Sequence, residues 1–166
     1  MNTVVKSNKV PGKSIIAIGF KKVSYCDSYH IVKQTNETVD EITTQIFKVP
    51  QWVIGLMKIR NSIVGIFGLK IDKKGIMEES DYYPIGSKAG YFTVTERNED
   101  EIVMGEDDKH LCFKTSVFVD RKQSFIYLTT IVEFHNVWGK IYFIPVKPFH
   151  RLIIKSLLKK LINNNG

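Results

Sequence analysis

His150 is the residue of this chain best suited to chemistry. It stands in KPFHRLIIKSLLKKLI, where Ile153, Ile154, Leu157, Leu158, Leu161 and Ile162 recur at helical spacing. His150 shares that face, so its imidazole should point from the helix's first turn toward whatever the helix lies on. There it can donate to a ligand or act as a general base, and a helix N-terminus favours its neutral form. It can equally bond a strand-end carbonyl and fix the start of the helix. Asn136 is its expected companion. In the run Ser124 to Asn136, the set Ile126, Leu128, Thr130, Val132, Phe134 and Asn136 is the more apolar, which turns Asn136 rather than His135 inward. Asn136 with His150 could orient a polar head group, or Asn136 could hold the turn's backbone.

Other polar residues carry weaker signals. Asp107-Asp108-Lys109-His110 looks like a metal patch, but one hairpin turn supplies no converging ligands, and no metal is expected. Asp27 lies between Tyr25 and Tyr29. Facing inward it would be a buried carboxylate in need of a partner. Facing outward, the favoured reading, it pairs with a lysine. Cys112 alternates with Leu111 and Phe113, which puts it on the less buried face. Neither Cys26 nor Cys112 has a C-x-x-C partner, so both read as reduced thiols of a cytoplasmic protein. No Ser/His/Asp or Cys/His spacing and no G-x-G-x-x-G is present, so no cofactor is expected and an enzymatic role stays open.

These residues must be positioned by an α+β arrangement. Met1 to Lys13 reads as a flexible arm, and residues 14–163 as one domain. Ser14 to Phe20 is a short strand or an anchored loop, and Ser24 to Lys33 is the first secure strand. Asn36 or Thr38 offers a cap for a helix to Phe47, with Asp40 and Glu41 favouring its dipole. Pro50 opens a second helix to Leu69, with a stripe at Val53, Leu56, Ile59 or Arg60, Ile63 and Phe67. Lys70 to Gly90 is a long irregular connection. Four strands follow at Tyr91–Arg97, Glu101–Gly105, His110–Asp120 and Ser124–Asn136, joined by short polar turns as an antiparallel meander. Lys140 to Ile144 reads as a fifth strand. Pro145 and Pro148 end it, and the last helix starts at Phe149 to cover the sheet's apolar face.

The net charge of +7 is uneven. Glu96 to Asp108 holds seven acids and one base, which leaves +13 on the rest of the 166 residues. A basic surface can serve nucleic acid, anionic lipid or solubility. No zinc spacing, helix-turn-helix or RNA-stacking pattern accompanies it, so nucleic-acid binding is not expected. The start lacks a signal peptide's apolar core. The run Trp52 to Leu69 is interrupted by Lys58, Arg60, Asn61 and Ser62, which argues against a spanning helix. Arg151, Lys155, Lys159 and Lys160 make the last helix basic and amphipathic. A membrane-surface role is the weaker reading, and a solvated back face the stronger.

Three stretches resemble a bacterial family known only as a domain of unknown function, within the polyketide-cyclase/START/birch-allergen superfamily. They are PQWVIGLMKIRNSIVGIFGL (Pro50 to Leu69), EIVMGEDDKHLCFKTSV (Glu101 to Val117) and HNVWGKIYFIPVKPFHRLI (His135 to Ile153). The resemblance implies a helix-grip fold, with a curved antiparallel sheet around a long C-terminal helix and two shorter helices after the first strand. It implies a hydrophobic cavity and names no reaction. The expected function is therefore binding of an apolar or amphipathic small molecule between sheet and helix. Leu111, Phe113, Thr115, Thr130, Val132, Tyr142 and Phe149 are the expected walls, and His150 and Asn136 the polar anchors. Two alternatives stand beside it. One is a cyclase, dehydratase or isomerase with His150 as acid/base and Asn136 or Tyr142 holding an enolate oxygen. The other is an interaction module built on the basic helix face.

Overall fold

The structure, a computed structural model, describes residues 3–48 and 80–163 together with positions 54, 55, 58, 62 and 65. In chain order the elements are β1 (Val5–Ser7), β2 (Tyr25–Val32), α1 (Val39–Phe47), β3 (Lys88–Ala89), β4 (Phe92–Arg97), β5 (Glu101–Asp107), β6 (Leu111–Asp120), β7 (Phe125–Phe134) and α2 (Val137–Asn163). The strands form one curved antiparallel sheet in the order β1-β2-β7-β6-β5-β4-β3. The meander from β4 to β7 follows the alternation in the sequence, and its turns are closed by short polar side chains. Asn98 Oδ1 accepts from the backbone N–H of Asp100 and Glu101, and Asp120 Oδ1 from those of Lys122 and Gln123. Helix α1 begins with a capping box, in which Thr38 Oγ1 accepts from Glu41 N and Glu41 Oε2 from Thr38 N.

Both faces of the sheet are covered. On one side α1 and the C-terminal half of α2 bury Ile42, Ile46, Ile154, Leu157, Leu158 and Leu161 against Tyr29, Ile31, Met104, Val117 and Leu128. On the other, residues 10–20 run across the sheet and seat Ile16 against Val103 and Ile131. Val5–Ser7 adds an edge strand, with Val5 opposite His30.

Lys140 to Ile144 is not a strand; residues 137–163 form one helix, and Pro145 and Pro148 lie inside it. Topology explains this. Strand β7 already has β2 and β6 as neighbours, so a strand at Lys140–Ile144, separated from the end of β7 by five residues, could not pair beside it. Each proline removes an intrahelical hydrogen bond and costs about 3 kcal/mol in a helix interior. Burying Ile154, Leu157, Leu158 and Leu161 beyond them contributes about 1.5–3 kcal/mol apiece, which offsets that loss.

The expected second helix, Pro50–Leu69, lies outside the described residues apart from Ile54, Gly55, Lys58, Ser62 and Gly65, which are helical. The connection Lys70–Gly90 is described only from Ser80 onward.

Candidate functional site

Register across three strands sets the chemistry of the face beneath α2. Asp27 on β2 stands opposite Thr130 on β7, and Thr130 opposite Thr115 on β6. Together they make a polar row. One row away, Tyr25 is opposite Val132 and Val132 opposite Phe113; on the other side, Tyr29 is opposite Leu128 and Leu128 opposite Val117. A polar belt therefore crosses the sheet between two apolar zones, and His150 and Arg151 of α2 lie over it. Thr130 Oγ1 donates to Thr115 Oγ1 at 3.1 Å, and Thr115 Oγ1 donates to the Thr129 carbonyl. The threonines are thus satisfied among themselves.

Asp27 is not. Contrary to the outward reading, it is 1% exposed. Its Oδ2 accepts from the Tyr25 hydroxyl at 2.5 Å and lies 3.6 Å from Arg151 Nε. Among the described residues, Asp27 Oδ1, Tyr29 OH, His150 Nε2 and Arg151 Nε are buried without a hydrogen-bond partner. A buried polar atom left unpaired costs about 1–3 kcal/mol, so four on one interface need an explanation. The groups sense one another electrostatically. Burial lowers the pKa of His150, the Arg151 charge adds to that, and Asp27 opposes it. Burial and the hydrogen bond to Asp27 raise the pKa of Tyr25. Burial also raises that of Tyr29, helped by Asp27.

The expected site residues separate. Leu111, Val132 and Tyr142 are buried in one apolar cluster with Phe113 against it, and Thr115 and Thr130 form the polar row. Phe149 lies on the outer side of α2, 40% exposed. Asn136 is the N-cap of α2. Its Oδ1 accepts from Trp138 N and Gly139 N, and its Nδ2 donates to the Lys109 carbonyl. Fourteen residues of helix put His150 about 21 Å further along the axis, so the two do not converge on one head group. Asp27, Tyr29 and Arg151 stand beside His150 instead. Both faces of β2 mix polar and apolar residues, so alternation in the sequence did not reveal them.

The remaining candidates are quieter. Burial and Asp107 push the Cys112 thiol up to about 11, which leaves it protonated at neutral pH. Asp108 Oδ1 accepts from Lys109 N within its own turn. Among the described residues, no group of three or more His, Cys, Asp or Glu side chains could hold a metal ion. Val137, Trp138, Ile141, Ile144 and Leu152 are exposed along the outer side of α2, in addition to the basic residues Arg151, Lys155, Lys159 and Lys160 expected on the helix's solvated face. No helix among the described residues is long and apolar enough to cross a membrane. On the opposite face of the sheet, an open hollow of about 640 Å3 is lined by the Glu96–Lys114 ion pair, Glu106, Glu133 and His135.

Residues 20–157 match the family described as Protein of unknown function (DUF2867). The chain belongs to that family. No curated protein and no solved structure matches it. The DUF2867 match runs from Phe20 at the end of the segment crossing the sheet to Leu157 in α2, so it takes in every residue of the polar belt.

One further buried acid of this DUF2867 chain serves structure. Glu101 is fully buried and accepts from Ser14 Oγ and Ile15 N, tying residues 14–15 to β5. Burial raises its pKa above the ordinary 4.5, against the pull of those hydrogen bonds. The folded state then holds its proton more tightly than the unfolded chain, so ionisation opposes folding. That contribution is absent below about pH 4.5 and grows as pH rises through the folded pKa. Urea unfolding of Glu101→Gln alongside the wild type should show the difference shifting in the variant's favour as pH rises from 4.5. A pH-independent difference would contradict this reading.

Proposed function

We propose that this protein binds a small, largely apolar molecule between the sheet and α2, and that its fold is a member of the helix-grip class. The observation that carries the binding reading is the cluster of buried, unpartnered polar atoms at Asp27, Tyr29, His150 and Arg151. A protein of ordinary packing satisfies such atoms internally, and a site meant for a ligand leaves them to the ligand. The apolar cluster of Leu111, Val132 and Tyr142 lies buried on one side of the belt, where an aliphatic or aromatic body would have to part the side chains packed on it. The helix-grip reading is supported by the order of elements: strand, helix, meander, long C-terminal helix. The two prolines before His150 take two hydrogen bonds out of α2 at that point and make it the part of the helix best able to yield.

The test is titration with Nile red, a neutral fluorophore that brightens in apolar surroundings. Saturable binding at one site per chain, lost when Thr130→Trp fills the belt in a folded variant, is the expected result. Fluorescence that never saturates, or that is unchanged in Thr130→Trp, would overturn the proposal.

A second reading is favoured by one observation. Burial keeps His150 neutral beside the Asp27 carboxylate, the form a general base requires. In that case His150→Ala abolishes turnover while ligand still binds, whereas in a binding protein it weakens affinity modestly.

A further inference from the structure

We infer that the ligand's polar end is a neutral hydroxyl group, an alcohol or a phenol, held by Asp27 and Tyr29. This rests on the binding reading above and narrows it to a chemical class. The unpartnered atoms define what the ligand must offer. Asp27 Oδ1 is an acceptor and requires a donor. Tyr29 OH and Arg151 Nε can donate and require an acceptor, and a neutral His150 Nε2 takes either role according to tautomer. A hydroxyl supplies both functions from a single oxygen.

Charged heads fit worse. An ionised carboxylate has no proton to give Asp27 Oδ1 and would set a like charge against a carboxylate that is 1% exposed. An ammonium would satisfy Asp27 but meet a ring of cations. Arg151 Nε is 3.6 Å from Asp27 Oδ2, Lys147 Nζ lies 4.9 Å from the Tyr25 ring, and Lys155 and Lys6 Nζ each lie 6.0 Å from the Tyr29 ring. Asp27 and Arg151 offset each other in charge, so the belt itself asks for no net charge in return. The apolar neighbours Val132 and Tyr142 suit a hydrocarbon body attached to that hydroxyl.

Calorimetric titration of the full chain at neutral pH with decanol, decanoate and decylamine tests this, because the three share one tail and differ only in the head. Decanol should bind at least about tenfold more tightly than either charged analogue, since a hydrogen bond to a charged group is worth roughly that factor or more. Asp27→Asn, nearly isosteric, should weaken decanol about tenfold and narrow its lead over decanoate. Tyr29→Phe removes a hydroxyl that bonds nothing in the protein. It should weaken decanol about fivefold with no fall in melting temperature, a combination that a merely structural tyrosine would not give.

Decanoate binding as tightly as decanol would overturn the hydroxyl assignment while leaving the apolar site standing. So would decanol affinity unchanged in both variants, which would mean that buried water alone serves these atoms. If none of the three binds while Nile red does, the head-group assignment fails. If Nile red also fails, the binding reading fails with it.

Discussion

Replacing Asp40 with alanine is expected to destabilise the protein by about 3–5 kcal/mol, the usual cost of breaking a buried ion pair from one side. Asp40 Oδ1 and Oδ2 accept from Arg97 Nη1 and Nη2, each at 2.9 Å, and Oδ1 also accepts from the backbone N–H of Tyr83 at 2.8 Å. Arg97 Nη1 donates to the Tyr83 carbonyl, and the Tyr83 hydroxyl bonds Thr44 Oγ1 at 2.8 Å. The side chains of Asp40 and Arg97 are only 7% and 13% exposed, so water cannot replace a lost partner. The network fastens α1 to β4 and to the segment that leads into β3. Arg97→Met should cost a similar amount. The double variant Asp40→Leu/Arg97→Met should lose clearly less than the sum of the single losses, because neither charge is then stranded. Full recovery is not expected, since Tyr83 N–H keeps no partner. Urea unfolding of the three variants measures this, and strict additivity would contradict the coupling.

Gly139→Ala is expected to destabilise by about 3 kcal/mol, against the usual sign for this change in a helix. Alanine normally gains about 0.5–1 kcal/mol over glycine in a helix interior. Here a Cβ would lie 2.2 Å from the His110 carbonyl oxygen and 3.0 Å from its carbon. Neither atom can swing aside, because the same carbonyl accepts from His135 N at 2.9 Å. The first turn of α2 must then lift off the β5–β6 hairpin, pulling on the Asn136 cap and on Tyr142. Thermal unfolding measures the loss, and a melting temperature equal to or above that of wild type would contradict the close approach.

The meander was legible because alternation and turn chemistry are local. Asn98 and Asp120 bond the backbone two and three residues ahead, and β6 and β7 pair without a register shift along their whole length. Helix α1 was legible for the same reason, through Thr38 and Glu41. What failed depended on distant partners. Lys140–Ile144 has the composition of a strand, but β7 had no free edge to offer it, a fact of topology rather than of sequence spacing. That misreading also hid the exposed row from Trp138 to Leu152, while Asn136, read as a ligand anchor or as a hold on the turn's backbone, does the second. Asp40 was read only as a favourable charge at a helix start; its partner Arg97 is 57 residues away. The candidate site was half legible. His150 does face the sheet, and Thr115 and Thr130 do share its polar belt. The side of β2 on which Asp27 lies depends on Arg151, more than a hundred residues later, and no local pattern encodes that.

The measurement closest to the central claim is native mass spectrometry of the protein purified gently from cells, beside a denatured control. A discrete non-covalent adduct that vanishes on denaturation, and that is reduced in Tyr29→Phe, is the expected result. Its mass would correspond to a neutral, hydroxyl-bearing apolar molecule. A bare protein mass that stays unshifted when decanol and Nile red are added would contradict the account, and the unpartnered atoms beneath α2 would then belong to buried water alone.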